Sequence, residues 1–283
     1  MIAAVWGDEK AWKSTFGLSF PKPLFHLDLD VGGFDRAIWR FPELRVKRLS
    51  FTEKLSTVDW SQYDIVDKPY PIPIQMERLL GAQKVGTTIR FPRQIVGYKK
   101  VWESIVVDFV EACQGQAATI FPDSATMLWS ICHTALLEDK QQIQLSQGMK
   151  VEDDHFRERL QPVEFPNDRM RSLIYTARSF GKNLILSHYP RDVYADRITE
   201  KGKEEYRTGE ITLDGFKDTQ KLVDIVIYLS LEWLTNPVTH ERKQDIVAKI
   251  TRCGLPGLGT KATGEIIAPS YQGILDLIDT LKA

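Results

Sequence analysis

Short apolar runs alternate with stretches whose apolar residues recur at helical spacing, and no other feature restricts this chain as much. Residues 2–6, 24–29, 118–121, 183–187, 225–231 and 246–250 read as strands. Between them, residues 13–20 open a helix that Pro21 and Pro23 end. Tyr98, Trp102, Ile105, Val106, Phe109, Val110 and Cys113 share one helical face, and a further helix is expected over about 125–138. Met170, Leu173, Ile174, Ala177 and Phe180 mark another, stopped by Gly181, and Tyr271, Ile274, Leu275, Ile278 and Leu281 mark a closing one. Strands alternating with helices predict an α/β fold, with helices flanking a mostly parallel central sheet. One domain over 1–283 is expected. Three segments fit that core poorly: about 40–97, read as an insertion after the second strand, and about 139–168 and 189–220, read as long mobile loops.

Composition removes several classes. Of 283 residues, 43% are apolar and 27% charged, as in ordinary globular proteins. No apolar run approaches the length of a membrane span, and no secretory leader is visible, so a cytoplasmic protein without membrane association is expected. Cys113, Cys132 and Cys253 lie far apart and read as reduced thiols. No Cys or His cluster has the spacing of a structural zinc site. A net charge of −1 argues against a protein held on DNA by a basic surface alone, though it leaves room for a local basic groove.

The first strand runs into Gly7-Asp8-Glu9-Lys10-Ala11-Trp12-Lys13-Ser14-Thr15. A phosphate-binding loop has glycine, four residues, glycine, lysine, then serine or threonine. Gly7, Lys13 and Ser14 match, while Trp12 stands where the second glycine belongs. In that pattern the loop backbone cradles an anion, Lys13 neutralises the β- and γ-phosphates, and Ser14 holds Mg²⁺. Glycine permits a positive φ that tryptophan adopts at a cost. The expectation is therefore a negative-φ, helical backbone at Trp12, with the indole turned away from the nucleotide.

Ligands of such sheets bind beyond the carboxyl ends of the strands. Asp123 ends the run 118–121 and is the candidate metal-facing acid beside Ser14, although Pro122 suggests that the strand stops before it. Asp30 ends the second strand and is the candidate for orienting water, with Asp28 as runner-up. His188 could touch a terminal phosphate. Lys249 and Arg252 could complete a phosphate site, even that of a neighbouring subunit. Each has a plain alternative, as a turn acid, a sheet-bonded histidine or a solvated cation. Residues 189–220 interleave Tyr189, Tyr194 and Tyr206 with Arg191, Arg197, Lys201, Lys203 and Arg207, a mixture suited to single-stranded nucleic acid. Nearby acids almost cancel that charge.

These blocks, in this order, resemble the RecA-like P-loop ATPases of bacteriophages, compact proteins of the AAA-domain type, some of which act in single-strand annealing or recombination. The likeness runs through residues 7–15, 20–35, 120–126, 181–188 and 247–252. It implies ATP and Mg²⁺ as cofactors and single-stranded DNA as partner. It also implies Asp30 as the catalytic carboxylate, where RecA carries glutamate, and His188 as a phosphate sensor before a DNA-binding loop. Lys249 would be a cation reaching across a subunit interface. Any homo-oligomer is expected to use surfaces other than the N-terminal segment that links RecA subunits.

Three readings follow: an ATPase acting on single-stranded DNA in recombination, repair or replication; a degenerate P-loop scaffold that binds partners with little turnover; and a small-molecule kinase on the same core.

Overall fold

The structure is a computed structural model describing residues 1–30, 32–74, 83–85, 88–90, 94–149, 164–199, 202–235, 240–255 and 264–282. Its centre is a nine-stranded sheet. The strands in chain order are β1 (Ile2–Gly7), β2 (Leu24–Asp28), β3 (Val46–Arg48), β4 (Ile65–Pro69), β7 (Thr119–Asp123), β8 (Asn183–His188), β11 (Ile225–Thr235), β12 (Arg242–Cys253) and β13 (Glu265–Ile267). In space they run β13-β12-β11-β1-β8-β7-β2-β4-β3. All neighbours from β11 to β3 are parallel, while β12 and β13 add antiparallel. The expected α/β fold with a mostly parallel sheet is what the chain adopts.

Helices cover both faces because the strands alternate in both directions. Ile2, Ile120, Leu184 and Leu186 point into one core with helices α3 (Tyr98–Gln114), α4 (Ala125–Ser146) and α5 (Glu164–Ser179). Ala3, Val5, Phe121 and Ile185 point into the other, with α1 (Lys13–Leu18), α2 (Gly33–Ile38) and α7 (Tyr271–Lys282). A one-residue offset switches the face, as the period of two requires.

Several boundaries differ from expectation. Segment 40–97 is not wholly an insertion: β3 and β4 extend the main sheet, while β5 (Gln83–Val85) and β6 (Thr88–Arg90) form a separate two-stranded sheet; residues 75–82, 86–87 and 91–93 of it lie outside the described residues. Helix α4 continues to Ser146, so the second expected loop shrinks; residues 150–163 of it lie outside the described residues. Segment 189–220 is not a loop. It forms an antiparallel hairpin of β9 (Pro190–Thr199) and β10 (Gly202–Leu213), followed by a short helix, α6 (Thr219–Leu222). Pro122 lies inside β7, which ends on Asp123 itself. Beyond Ile120, β7 no longer pairs with β8, so the missing proline N–H breaks no ladder bond. Among the described residues, no helix is long and apolar enough to cross a membrane.

Candidate nucleotide site

The site forms where β1, β2 and β7 end, and Gly7 anchors it. Its φ is +150°, and a Cβ there would lie 1.9 Å from the Leu229 carbonyl oxygen on the paired strand β11. Only glycine lets β1 turn into the loop so close to β11. The Asp8 N–H then donates to that same carbonyl at 3.1 Å, and Tyr228 Oη donates to Asp8 Oδ1 at 2.8 Å.

Trp12 overturns the expected negative φ. Its φ is 57° and ψ 32°, the left-handed conformation of the glycine it replaces. The loop demands it. Ala11 N–H closes a turn on Asp8 O, and the chain must then reverse so that Phe16 N–H can reach Trp12 O at 2.8 Å and start α1. That conformation costs an L-residue roughly 1–2 kcal/mol. The indole is not turned away either. It lines the cavity, and the Arg40 guanidinium sits 3.4 Å from its ring centroid, a contact worth roughly 0.5–2 kcal/mol. The stacking offsets much of the backbone cost.

The cavity measures about 730 Å³, within the range of small-molecule sites, roughly 300–1,000 Å³. Residues 9–15 form one wall, and Asp35, Arg36, Trp39 and Arg40 from α2 and the turn after it form another. Asp30 and Tyr189 also line the cavity. Lys13 is folded onto its own loop, with Nζ donating to Asp8 O at 2.7 Å and Gly7 O at 3.1 Å. Burial lowers its pKa, and Asp123, Asp8, Glu9 and Asp30 oppose that shift.

Asp123 lies beneath the cavity floor. Oδ1 accepts from Ser187 Oγ at 2.7 Å, while Oδ2 is buried without a hydrogen-bond partner. Burial acts to raise its pKa, but His26, Ser14 and Ser187 prevail and hold the carboxyl below the usual range. His26 is fully buried; its Nδ1 bonds Asp67 Oδ1 at 2.8 Å, and its Nε2 stands 3.6 Å from Asp123 Oδ2, too far for a hydrogen bond. Against the penalty of burial, the two carboxylates raise the His26 pKa to about 9. Gly33 faces this cluster: a Cβ there would be 3.5 Å from both Asp123 Oδ2 and Ser14 Oγ.

A hard divalent cation takes oxygen ligands, and Mg²⁺ bound with a nucleotide needs only one or two from the protein. Ser14 Oγ and the unpartnered Asp123 Oδ2 supply that pair, so these residues fit Mg²⁺. Among the described residues no group of three or more His, Cys, Asp or Glu could hold a metal by itself. This is the donor set expected when phosphates and water complete the shell.

Of the two candidate water-orienting acids, Asp30 lines the cavity and Asp28 does not. Asp28 stands opposite Asp123 in the β2–β7 ladder; burial raises its carboxyl to about 6. Asp30 Oδ2 accepts from the Tyr189 hydroxyl.

His188 is a correction. It is fully buried, does not line the cavity, and its Nδ1 bonds Asp214 O at 2.7 Å. Burial lowers its pKa to about 4. Its neighbour Tyr189 occupies the position expected of it, because strand alternation turns residue 188 inward and 189 toward the crevice. Lys249 and Arg252 are also corrected within this chain: neither lines the cavity. Lys249 Nζ pairs with Glu232 at 2.8 Å and Glu265 at 3.4 Å, and Arg252 is exposed on β12, two strands from β1. Sequence reasoning gave Tyr189 only a nucleic-acid role and missed Gly33 and Arg40. Tyr189 was accessible as the first residue after a strand; Arg40 carried no signal.

No family model matches the chain, and neither does any curated protein. Among solved structures, it is similar to a KaiC-like protein from the hyperthermophilic archaeon Pyrococcus horikoshii OT3. The identity is 10% over 95% of this chain and 89% of that one, with a TM-score of 0.38. That likeness is weak, and the site's own residues carry the chemistry.

Proposed function

We propose that this chain is a RecA-like P-loop ATPase that binds ATP with Mg²⁺ in the 730 Å³ cavity and hydrolyses it. One observation carries the reading. Lys13, Ser14, Asp30 and Asp123 are contributed by three strand ends, yet they converge on one cavity and its floor. Lys13 would leave its two carbonyls for the β- and γ-phosphates. Ser14 and Asp123 would hold Mg²⁺, which when bound offsets charge on the phosphates. Asp30 would take a proton from water as the water oxygen bonds the γ-phosphorus and the β–γ bridging P–O bond breaks, leaving ADP and phosphate.

We further propose single-stranded DNA as its partner, on the β9–β10 hairpin. It presents exposed Tyr194 and Tyr206 among cations, as single-strand binders do. Two of those cations, Arg191 and Arg207, already face Asp214 and Asp192. The expected affinity for single strands is accordingly modest and steeply salt-dependent.

The test is Mg²⁺-dependent ATP hydrolysis by the purified chain, with and without an oligonucleotide. Lys13→Ala is expected to abolish both binding and turnover. Asp123→Asn is expected to lower turnover at least about a hundredfold, the scale of one lost electrostatic stabiliser. Nucleotide binding without turnover above the Lys13→Ala background would leave the degenerate-scaffold reading standing instead.

A further inference from the structure

Tyr189 joins two parts of the molecule. It is the single residue between β8, which ends at His188, and β9, which begins at Pro190. Its side chain enters the cavity: the hydroxyl donates to Asp30 Oδ2, and the ring centroid lies 6.0 Å from Lys13 Nζ. Burial, the bond to Asp30 and the charge of Asp30 push the phenol above its usual pKa, so it remains a donor.

The backbone of Tyr189 is tied to the residue that leaves the base of the hairpin. Asp214, which follows β10, donates its N–H to Tyr189 O at 2.7 Å. Tyr189 N–H donates to Thr126 Oγ1 at 3.0 Å, and that hydroxyl donates to Asp214 O at 3.0 Å. His188 Nδ1 reaches the same carbonyl. A shift of the hairpin base therefore moves the Tyr189 backbone with it.

A carboxylate that orients water must turn an oxygen toward it, and an oxygen already accepting a hydrogen bond is not free to do so. With Oδ2 engaged, Asp30 is also held toward Tyr189. We infer that Tyr189 is a positioning residue for Asp30: its hydroxyl holds the carboxylate back from water activation, and the β9–β10 hairpin sets that hold through Thr126 and Asp214. This rests on the ATPase reading above. A ligand that grips the hairpin would release Asp30 and raise turnover without touching the nucleotide.

The experiment uses the full chain and four forms: wild type, Tyr189→Phe, Thr126→Val and the double variant. Affinity for a fluorescent ATP analogue and single-turnover hydrolysis of ATP are measured separately. Tyr189→Phe is expected to speed the single turnover about tenfold, the scale of one charge-assisted hydrogen bond. Its nucleotide affinity is expected to stay within about twofold, a split that a merely structural loss would not give. Thr126→Val is expected to act in the same direction, more weakly, and to add nothing to Tyr189→Phe. Unchanged or slower turnover in Tyr189→Phe, with affinity intact, overturns the restraint. Additive effects in the double variant overturn the hairpin linkage. Absence of nucleotide binding in all four forms removes the ATPase reading, and this inference with it.

Discussion

Trp12 holds a left-handed backbone and stacks against Arg40, and these two facts make its replacements distinguishable. Trp12→Ala loses the stacking and keeps an unfavourable φ. Trp12→Gly loses the same stacking but relieves the φ. The glycine variant is therefore expected to be the more stable of the two by about 1 kcal/mol, the reverse of their order in a helix interior. Urea unfolding of both variants measures it; an alanine variant at least as stable would contradict the conformation. Gly7 has no such latitude. A methyl group on its Cα would stand 1.9 Å from the Leu229 carbonyl oxygen. Gly7→Ala must therefore push β1 from β11, and a loss of about 3 kcal/mol is expected in the same assay.

Three neighbouring strands place the Asp67–His26–Asp123 row under the site, from β4, β2 and β7. The row couples stability to pH. His26 has a folded pKa of about 9 against an ordinary 6.5. A histidine raised in this way contributes fully below about pH 6.5, and the contribution is lost as pH rises through 9. His188 is the opposite case: with a folded pKa of about 4, it costs stability as pH falls from 6.5 toward 4. In metal-free and nucleotide-free protein, the wild type should lose more unfolding free energy than His26→Gln between pH 6.5 and 9, because the lowered Lys22 and N-terminal ammonium groups, which act in the opposite sense there, are common to both. An equally steep fall in the variant would remove His26 as its source. The same row explains why β4 was illegible in the sequence. Asp67 and Lys68 are buried, yet they look like turn residues until His26 and Asp108 are seen to pair with them. The β9–β10 hairpin was hidden for another reason. A two-stranded ribbon carries few apolar positions to bury, so charges are scattered along both strands and no period of two emerges.

For the whole molecule, the strands that pack both faces were the legible part: continuous apolar runs can only be buried on two sides, and helical stripes must cover them. The placement of the loop, Asp30 and Asp123 at one end of the sheet was legible because strand ends converge there. His188, Lys249 and Arg252 misled because one-dimensional order does not say which face a residue takes or which acids meet it. A chain that binds Mg·ATP only when folded gains stability by mass action, about 2.7 kcal/mol at a hundred times the dissociation constant. Calorimetry should show that gain in the wild type and not in Lys13→Ala. The most direct measurement is a crystal structure with Mg²⁺ and a non-hydrolysable ATP analogue. The phosphates should lie against the backbone of residues 8–14, with Lys13 Nζ released from Gly7 O and Asp8 O, and the metal between Ser14 and Asp123. An analogue bound elsewhere, with Lys13 still on those two carbonyls, would contradict the account.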